Sequence, residues 1–348
     1  MHRHRAGLGR AADHRHPITR SERAVPFLRP QARHAGGARA VPYLDVAKLA
    51  IMIEGQEGVD WRLWKHLAET VEGLGFDSFW RSDHLYSVMG ELDRATIECW
   101  TSLALIATWT KRIPFGPNVS PMTFREPGML AKSAAAVDVL SEGRLVMGVG
   151  AGWYESEHRD FGIPFPPLKE RMDRMDRSFD IMRGVWAARN PRPVRGTIPF
   201  LVGGDGERRT LRAVARHADW WSIGIHRTPE EYRHKVEVLE RHCRDIGRDP
   251  GEIRRGFQTT FLVGRTEDEL LRRADGLRAA IPRYRDLTPE QVLATVRESS
   301  FGGTPAEIAA QMRPYVDLGV DVFWMQHFLF EDDEALRLLM DEVAPLIA

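Results

Sequence analysis

The chain has 348 residues, 43% of them hydrophobic, and only two cysteines. This length and composition suit one large α/β domain or two smaller domains and exclude a low-complexity protein. No apolar run approaches the ~18 residues that span a bilayer, and Cys99 and Cys243 lie too far apart for a zinc or disulfide motif. We therefore expect a cytoplasmic protein with no membrane contact and no bound metal.

The formal net charge of zero conceals an uneven distribution. Residues 1–46 contain nine arginines and three acidic residues, a net charge of +6, so the remaining chain is mildly acidic. That part has no basic stripe, which argues against a nucleic-acid partner. The basic stretch has neither a sustained apolar period nor a signal-peptide core. We predict a disordered Arg/His-rich tail over residues 1–46 and one folded domain over residues 47–348.

Strand-like and helix-like segments alternate from Lys48 onward, the pattern of parallel βα units. The first strand is "KLAIMI", and its helix runs from about Asp60 to Leu74, where Gly75 ends it. A helix from about Leu168 to Ala188 precedes the fifth strand. The later strands are predicted in "FDSFWRS", "RIPFGPNVS", "GRLVMGVGAGW", "PFLVGG", "ADWWSIG", "RRGFQTTFLVG" and "GVDVFWMQ".

Eight such strands in a chain of this size predict a (β/α)₈ TIM barrel with insertions rather than an open sheet. Functional residues of such barrels follow the carboxyl ends of the strands, so the polar residues there should converge on one rim. Each residue taken singly could equally be a helix cap or a solvated side chain. The rim candidates are Glu54, Asp83 with His84, Asn118–Ser120, Gly150–Trp153 with Glu157, Gly203–Glu207, and Gln326 with His327.

The stretch "PFLVGGDGERRTLRAVARHADWW", residues 199–221, joins a strand to a helix through three glycines. Glycines let backbone N–H groups approach a ligand closely, and a helix N-terminus favours an anion. A tight strand-to-helix turn without any ligand would use the same residues. From this stretch alone, both interpretations remain open.

Several separated segments carry a family resemblance: "GLGFDSFWRSDHL", "GPNVSPMTFREPGMLAKSAAAVDVLSEGRLVMGVGAGWYESEH", the glycine stretch above and "GTPAEIAAQMRPYVDLGVDVFWM". They resemble the luciferase-like monooxygenase superfamily and, within it, the oxidoreductases that use the deazaflavin F420. The resemblance implies a bacterial-luciferase-like barrel. It further implies that Gly203, Gly204 and Gly206, with a helix beginning near Glu207, hold the phosphate of the cofactor.

The same resemblance assigns roles to other rim residues. It implies a bulge with a cis peptide bond at Asn118–Val119, which supports the cofactor ring. It places His84 at the reacting face as acid/base or as a residue that orients the substrate, and Asp83 next to it would orient the imidazole. Glu54 is the second catalytic candidate, and Glu157 is expected to pack at the rim or contact the cofactor. The expected cofactor-binding set is Asn118, Val119, Ser120, Gly150, Gly152, Glu157, Gly203, Gly204, Gly206 and Glu207.

The implied reaction is hydride transfer between C5 of F420 and a small organic substrate. One alternative is an FMN-dependent monooxygenase that uses oxygen and reduced flavin from a partner reductase. Another is a flavin- or deazaflavin-binding protein without catalysis. A metal-dependent barrel hydrolase is disfavoured because "KLAIMIEG" lacks a His-x-His pair. The resemblance also implies a homodimer, because dimers of the superfamily bury the second and third helices. The second helix, in "ECWTSLALIATWT", is apolar enough for this, although a helix in the core of a monomer would have the same pattern.

Overall fold

Ten parallel strands form the framework of the computed structural model, which describes residues 47–224 and 227–348. The predicted tail lies outside these residues. All eight predicted strands are present among them, and the barrel fold is confirmed. The strands are β1 (Lys48–Ile53), β2 (Phe79–Arg81), β3 (Phe115–Pro117), β4 (Ser120–Pro121), β5 (Met147–Gly150), β6 (Phe200–Gly203), β7 (Trp220–Ile223), β8 (Arg254–Val263), β9 (Phe301–Gly303) and β10 (Val322–Gln326).

The strands pair in the order β3-β2-β1-β10-β8-β7-β6-β5-β4, with every ladder parallel. A parallel bridge between Phe115 and Leu145 connects β3 to the chain that enters β5, which brings the two ends of the sheet together. The third predicted strand is divided into β3 and β4. The peptide bond between them, Asn118–Val119, is cis, at the position that the resemblance implied.

Helices cover the outside of the barrel. Asp60 caps α1 by accepting a hydrogen bond from the backbone N–H of Leu63 at 2.8 Å, and Gly75 ends the helix in the left-handed region. The helices are α1 (Trp61–Leu74), α2 (Cys99–Trp109), α3 (Pro127–Leu140), α4 (Glu155–Asp160), α5 (Leu168–Ala188), α6 (Thr210–His217), α7 (Pro229–Asp245), α8 (Glu267–Ala280), α9 (Pro289–Ser299), α10 (Pro305–Val316), α11 (Asp333–Leu338) and α12 (Ala344–Ile347). In the described part of the chain, no helix is both long and apolar enough to cross a bilayer.

The inside of the barrel is filled by large aromatic side chains. Trp80 and Trp324 pack edge to face with their ring centroids 5.6 Å apart, and Trp220 stacks on Trp324. These rings belong to a core separate from the larger apolar layer between strands and helices. Because the interior is packed, a ligand cavity is expected at the carboxyl ends of the strands.

A segment inserted between β8 and β10 has a small core of its own. The last residues of β8 pair with β9, a strand absent from our sequence prediction, and α8 and α9 pack on that pair. The buried residues Leu262, Leu277 and Val292 hold the segment together. A 3₁₀ turn, Pro282–Tyr284, connects the two helices. This turn brings part of the insertion to the cavity described below.

Candidate functional site

A cavity of about 740 Å³ opens at the carboxyl ends of the barrel strands. A volume of this size accommodates a cofactor together with a small substrate. Of the thirteen residues predicted to be catalytic or cofactor-binding, nine line it, whereas Ser120, Glu157, Gly206 and Glu207 do not. The nine are Glu54, Asp83, His84, Asn118, Val119, Gly150, Gly152, Gly203 and Gly204.

Several lining residues were missed by the sequence analysis. Gln258 and Thr260 lie within β8 between the buried residues Phe257 and Phe261, and their polarity at this place was a signal that could have identified them. Ser222 is a similar case on β7. Arg283 comes from the inserted segment, where no local pattern indicated a contact with the barrel. It reaches the cavity only through tertiary packing.

His84 is held by Glu157 rather than by its sequence neighbour. The imidazole Nδ1 lies 2.8 Å from Glu157 Oε2, and the other carboxylate oxygen accepts the backbone N–H of Leu85. The Glu157 side chain is 1% exposed and that of His84 14%. Because an ionised carboxylate only accepts, Nδ1 carries the proton, and Nε2 has no bonded partner within residues 47–224 and 227–348. Glu157 therefore fixes both the orientation and the tautomer of His84.

The surroundings of His84 also control its charge. Burial on its own lowers the pKa of the imidazole, because it penalises the charged form. The hydrogen bond and the negative charge of Glu157 oppose that effect, with smaller contributions from Glu54 and Asp83. Together they raise the pKa of His84 above its ordinary value. The imidazole of His84 therefore keeps its proton up to a higher pH than the imidazole of a free histidine does.

The expectation that Asp83 orients His84 was wrong. Asp83 accepts hydrogen bonds from Arg125 at 2.6 and 3.1 Å and from the Ser120 hydroxyl at 2.5 Å. Ser120 in turn accepts from the indole N–H of Trp100 and is fully buried. The Asp83 carboxylate is thus engaged in hydrogen bonds that hold β2, β4 and the start of α2 together.

Glu54 is a buried carboxylate at the end of β1 that is held by amides instead of a cation. Gln326 donates to one of its oxygens at 2.7 Å, and Gln56 donates to the other at 3.0 Å. Ser82 orients Gln56 by donating to its carbonyl oxygen at 2.6 Å. The result is a polar network along the ends of β1, β2 and β10, with Glu54 and Gln326 both facing the cavity.

The side chain of Val119 packs against two glycines, at positions where a larger residue would overlap it. A Cβ added at Gly150 would lie 2.5 Å from one methyl group of Val119, and a Cβ added at Gly203 would lie 2.9 Å from the other. Either distance is shorter than a normal carbon–carbon contact. Gly150 and Gly203 therefore let Val119 lie against the ends of β5 and β6, where it forms part of the cavity wall.

The glycine turn after β6 is partly engaged within the protein. Gly204 has a φ of +107°, which favours glycine, and its N–H donates to the Ser222 carbonyl at 2.9 Å. The two acidic residues of the turn are each paired: Asp205 with Arg227 at 2.8 Å, and Glu207 with Lys235 at 2.7 Å. These pairings remove much of the repulsion that an approaching anion would otherwise meet.

The helix after this turn begins later than expected. Residues 207–209 form a turn, and α6 starts at Thr210 instead of near Glu207. Arg209 is drawn away from a helical position because its guanidinium bonds Asp173 at 2.6 Å and Asp176 at 3.2 Å on α5. Glu207 is also turned outward, toward α7.

His327 follows β10 but does not reach the cavity. Its ring is buried and stacks on Phe261, with the centroids 5.6 Å apart. Burial lowers its pKa to about 4, although Asp332 and Asp333 act in the opposite direction. The neighbouring Gln326 does line the cavity. In the described part of the chain, no three His, Cys, Asp or Glu residues cluster in a way that would hold a metal ion.

The sequence of this chain matches a known protein family. The family model "Luciferase-like monooxygenase" matches residues 44–322. The chain belongs to this family. Among curated relatives, it is 26% identical over 247 residues to the phthiodiolone/phenolphthiodiolone dimycocerosates ketoreductase of a Mycobacterium species, strain JLS. That match covers 59% of this chain and 64% of the ketoreductase, which is less than two thirds of the relative's length.

Solved structures with this family's fold bind either class of cofactor. An F420-dependent secondary alcohol dehydrogenase in complex with an F420-acetone adduct superposes with a TM-score of 0.71 at 17% identity, covering 87% of this chain and 99% of that one. A riboflavin lyase with modified FMN superposes with a TM-score of 0.70 at 14% identity, covering 86% and 91%. At these identities, the similarity establishes the shared fold.

Proposed function

We propose that this luciferase-like protein is an F420-dependent oxidoreductase that interconverts a ketone and a secondary alcohol. The observation that carries the proposal is the pair formed by His84 and Glu157 at the cavity wall. Reduction of a carbonyl by hydride requires a proton for the oxygen, and oxidation of an alcohol requires a base. A partly buried imidazole with an oriented tautomer and a raised pKa suits both tasks.

His84 performs the proton transfer in this proposal. In the direction of reduction, the imidazolium donates its Nε2 proton to the oxygen that develops negative charge as the carbonyl carbon receives hydride. In the direction of oxidation, neutral Nε2 removes the hydroxyl proton while hydride leaves the same carbon. Glu157 accepts the hydrogen bond from Nδ1 and stabilises the imidazolium form. Glu54 and Gln326 supply a second acceptor and a donor at the cavity floor, which can orient the substrate.

The residues around Val119 fit a tricyclic ring. Val119 presents an apolar wall, and Gly150 and Gly203 let it lie flat against the ends of β5 and β6. The turn at Gly204 would hold the phosphate, and its acidic residues are already neutralised. When bound, F420 supplies a carbon that accepts or donates hydride. The relatives support this choice because one is named a ketoreductase and another binds an F420-acetone adduct.

FMN is the second candidate, because the riboflavin lyase with the same fold contains FMN. Titration of the purified chain with F420 and with FMN, followed by fluorescence, compares the two. We expect F420 to bind at least tenfold more tightly. Equal or tighter FMN binding would replace the proposal with the flavin monooxygenase alternative, in which a partner reductase supplies reduced flavin. Failure of both to bind would reject a cofactor-dependent enzyme altogether.

Gly204 provides a structural check on the phosphate site. In Gly204→Ala, a Cβ would lie 3.3 Å from Thr210 in a backbone conformation that side chains rarely adopt, and we expect weaker F420 binding. Gly196→Ala is the matched control, since Gly196 has a φ of +79°, no atom within 4 Å of the added Cβ and no place in the cavity lining. Equal F420 affinity in both variants would mean that the turn is only a structural connection.

A further inference from the structure

Residues 264–303 of the inserted segment contain seven arginines, and six of them are paired with carboxylates. Arg278, for example, lies 2.8 Å from Asp275, and Arg297 lies 3.3 Å from Glu267. Arg283 has no carboxylate partner within residues 47–224 and 227–348. The other paired arginines are Arg265, Arg272, Arg273 and Arg285. The exception is also the arginine that lines the cavity.

Arg283 is positioned without being neutralised. Its guanidinium donates to the Tyr284 hydroxyl at 2.9 Å and lies 4.7 Å from the centroid of that ring. Tyr284 itself is 4% exposed, so the support is part of the small core of the insertion. A guanidinium has five N–H donors, and a single hydroxyl engages only one of them. Most of the hydrogen-bonding capacity of Arg283 is therefore free for a ligand.

The turn that carries Arg283 is anchored to the loop after β2. Arg94 donates to the Ala280 carbonyl at 2.8 Å, and the same guanidinium bonds the buried Glu57 at 3.1 Å. Just after the turn, Arg285 pairs with Glu91 of the same loop. These contacts attach the insertion to the barrel on both sides of residues 282–284. The place of the turn at the cavity is therefore set by the fold, and the exposed side chain of Arg283 extends from it.

The other residues that line the cavity favour binding of an anion at Arg283 over binding elsewhere in the cavity. No other arginine or lysine from the described ranges lines it, while Glu54 supplies a carboxylate at the end of β1 and the carboxylate of Asp83 is neutralised by Arg125. An anionic group would be repelled by Glu54 and attracted by Arg283. The wall next to Arg283 includes the apolar residues Ile281 and Phe328, with Val88 and Met89 from the anchored loop. The preferred ligand thus combines an apolar body with an acidic group.

We infer that the substrate carries a carboxylate or phosphate that binds Arg283, with its apolar part along Ile281 and Phe328. The identity of the reacting group, a ketone or secondary alcohol near His84, rests on the proposed function. The acidic group itself rests on Arg283 alone. Because F420 and FMN also carry acidic groups, the experiment has to separate binding of the substrate from binding of the cofactor.

The test uses 4-oxopentanoate, 6-oxoheptanoate and 8-oxononanoate, each beside its methyl ester. Dissociation constants are measured by calorimetry on the full chain, with and without saturating F420. We expect at least one acid to bind about tenfold more tightly than its ester, because a charge-assisted bidentate contact replaces a neutral one. Arg283→Gln should abolish this preference, and Arg278→Gln, whose arginine is paired and outside the cavity, should retain it. Added salt should weaken the preference.

Three outcomes would overturn the inference. One is that no acid binds to the wild-type protein more tightly than its ester, at any of the three chain lengths. Another is an acid preference that survives in Arg283→Gln. The third is an Arg283→Gln variant that loses affinity for F420 while keeping its affinity for the acids, because Arg283 would then hold the cofactor. Failure of the proposed function is a separate result, seen as absence of F420 and FMN binding to the wild-type chain.

Discussion

Two histidines follow strands of the same barrel and have opposite chemistry. His84, after β2, lines the cavity, bonds a carboxylate and has a raised pKa. His327, after β10, stacks on Phe261 behind the cavity wall and has a pKa lowered to about 4. Both were rim candidates in the sequence. A position at the carboxyl end of a strand is therefore insufficient for function, and the partner that the fold supplies decides whether the imidazole can carry a proton.

The largest expected effect is on turnover in His84→Ala. Loss of a positioned acid or base lowers turnover by about 10²–10⁴. Affinity for the cofactor should change no more than several-fold, since Val119 and the Gly204 turn are unaltered. His327→Phe is the control: at pH 7 its turnover should stay within a few-fold of wild type. Steady-state kinetics with the ketone substrate and F420 titration measure both quantities. If His84→Ala lost cofactor binding while the residual complex turned over normally, the role of His84 would be to bind the cofactor and not to transfer a proton.

The next effect is on acid stability and belongs to His327. Its pKa is about 4 in the folded chain, against about 6.5 when unfolded, so the unfolded chain takes up the proton first as the pH falls. The free energy of unfolding should therefore decrease between pH 6.5 and 4, by roughly 3 kcal/mol from this group. His327→Phe should remove that part of the slope. Urea unfolding across this pH range measures it.

His84 contributes with the opposite sign. Its folded pKa is raised, so its stabilising contribution is complete below the unfolded pKa and is lost as the pH rises through the folded pKa. The difference between wild type and His327→Phe isolates the buried ring from His84 and from the carboxylates that titrate in the same range. If the free energy of unfolding of His327→Phe depends on pH as steeply as that of wild type, the imidazole of His327 is accessible to water in the folded chain.

The smallest effect concerns the partner of His84. Glu157→Gln keeps a hydrogen-bond acceptor but removes the charge, so the pKa of His84 should fall. With the ketone substrate, the alkaline limb of the pH–rate profile, where the imidazolium loses its proton, should move to lower pH. Asp83→Asn should shift the same pKa less, because Asp83 is neutralised by Arg125. NMR titration of the imidazole resonances compares the two. A larger shift in Asp83→Asn would restore the sequence-based pairing of Asp83 with His84.

Local pattern was sufficient where neighbouring residues decide the structure. Apolar runs located all eight barrel strands in the described chain, and α5 spans the predicted Leu168–Ala188. Pattern failed for β9, a three-residue strand whose partner is the extension of β8. It also failed for the start of α6, which depends on the pairing of Arg209 with α5. In both cases, contacts between distant segments override local propensity.

The sequence by itself determined the order of strands and helices, and with it the rim on which Glu54, His84 and Gly204 lie, because hydrophobic periodicity and glycine positions are local properties of a chain. Tertiary structure alone decided the pairings. His84 and Glu157 are 73 residues apart, and Arg283 reaches the cavity from an insertion with its own core. Burial, charge neutralisation and pKa depend on which groups lie within a few ångströms, and that is fixed only when the barrel closes.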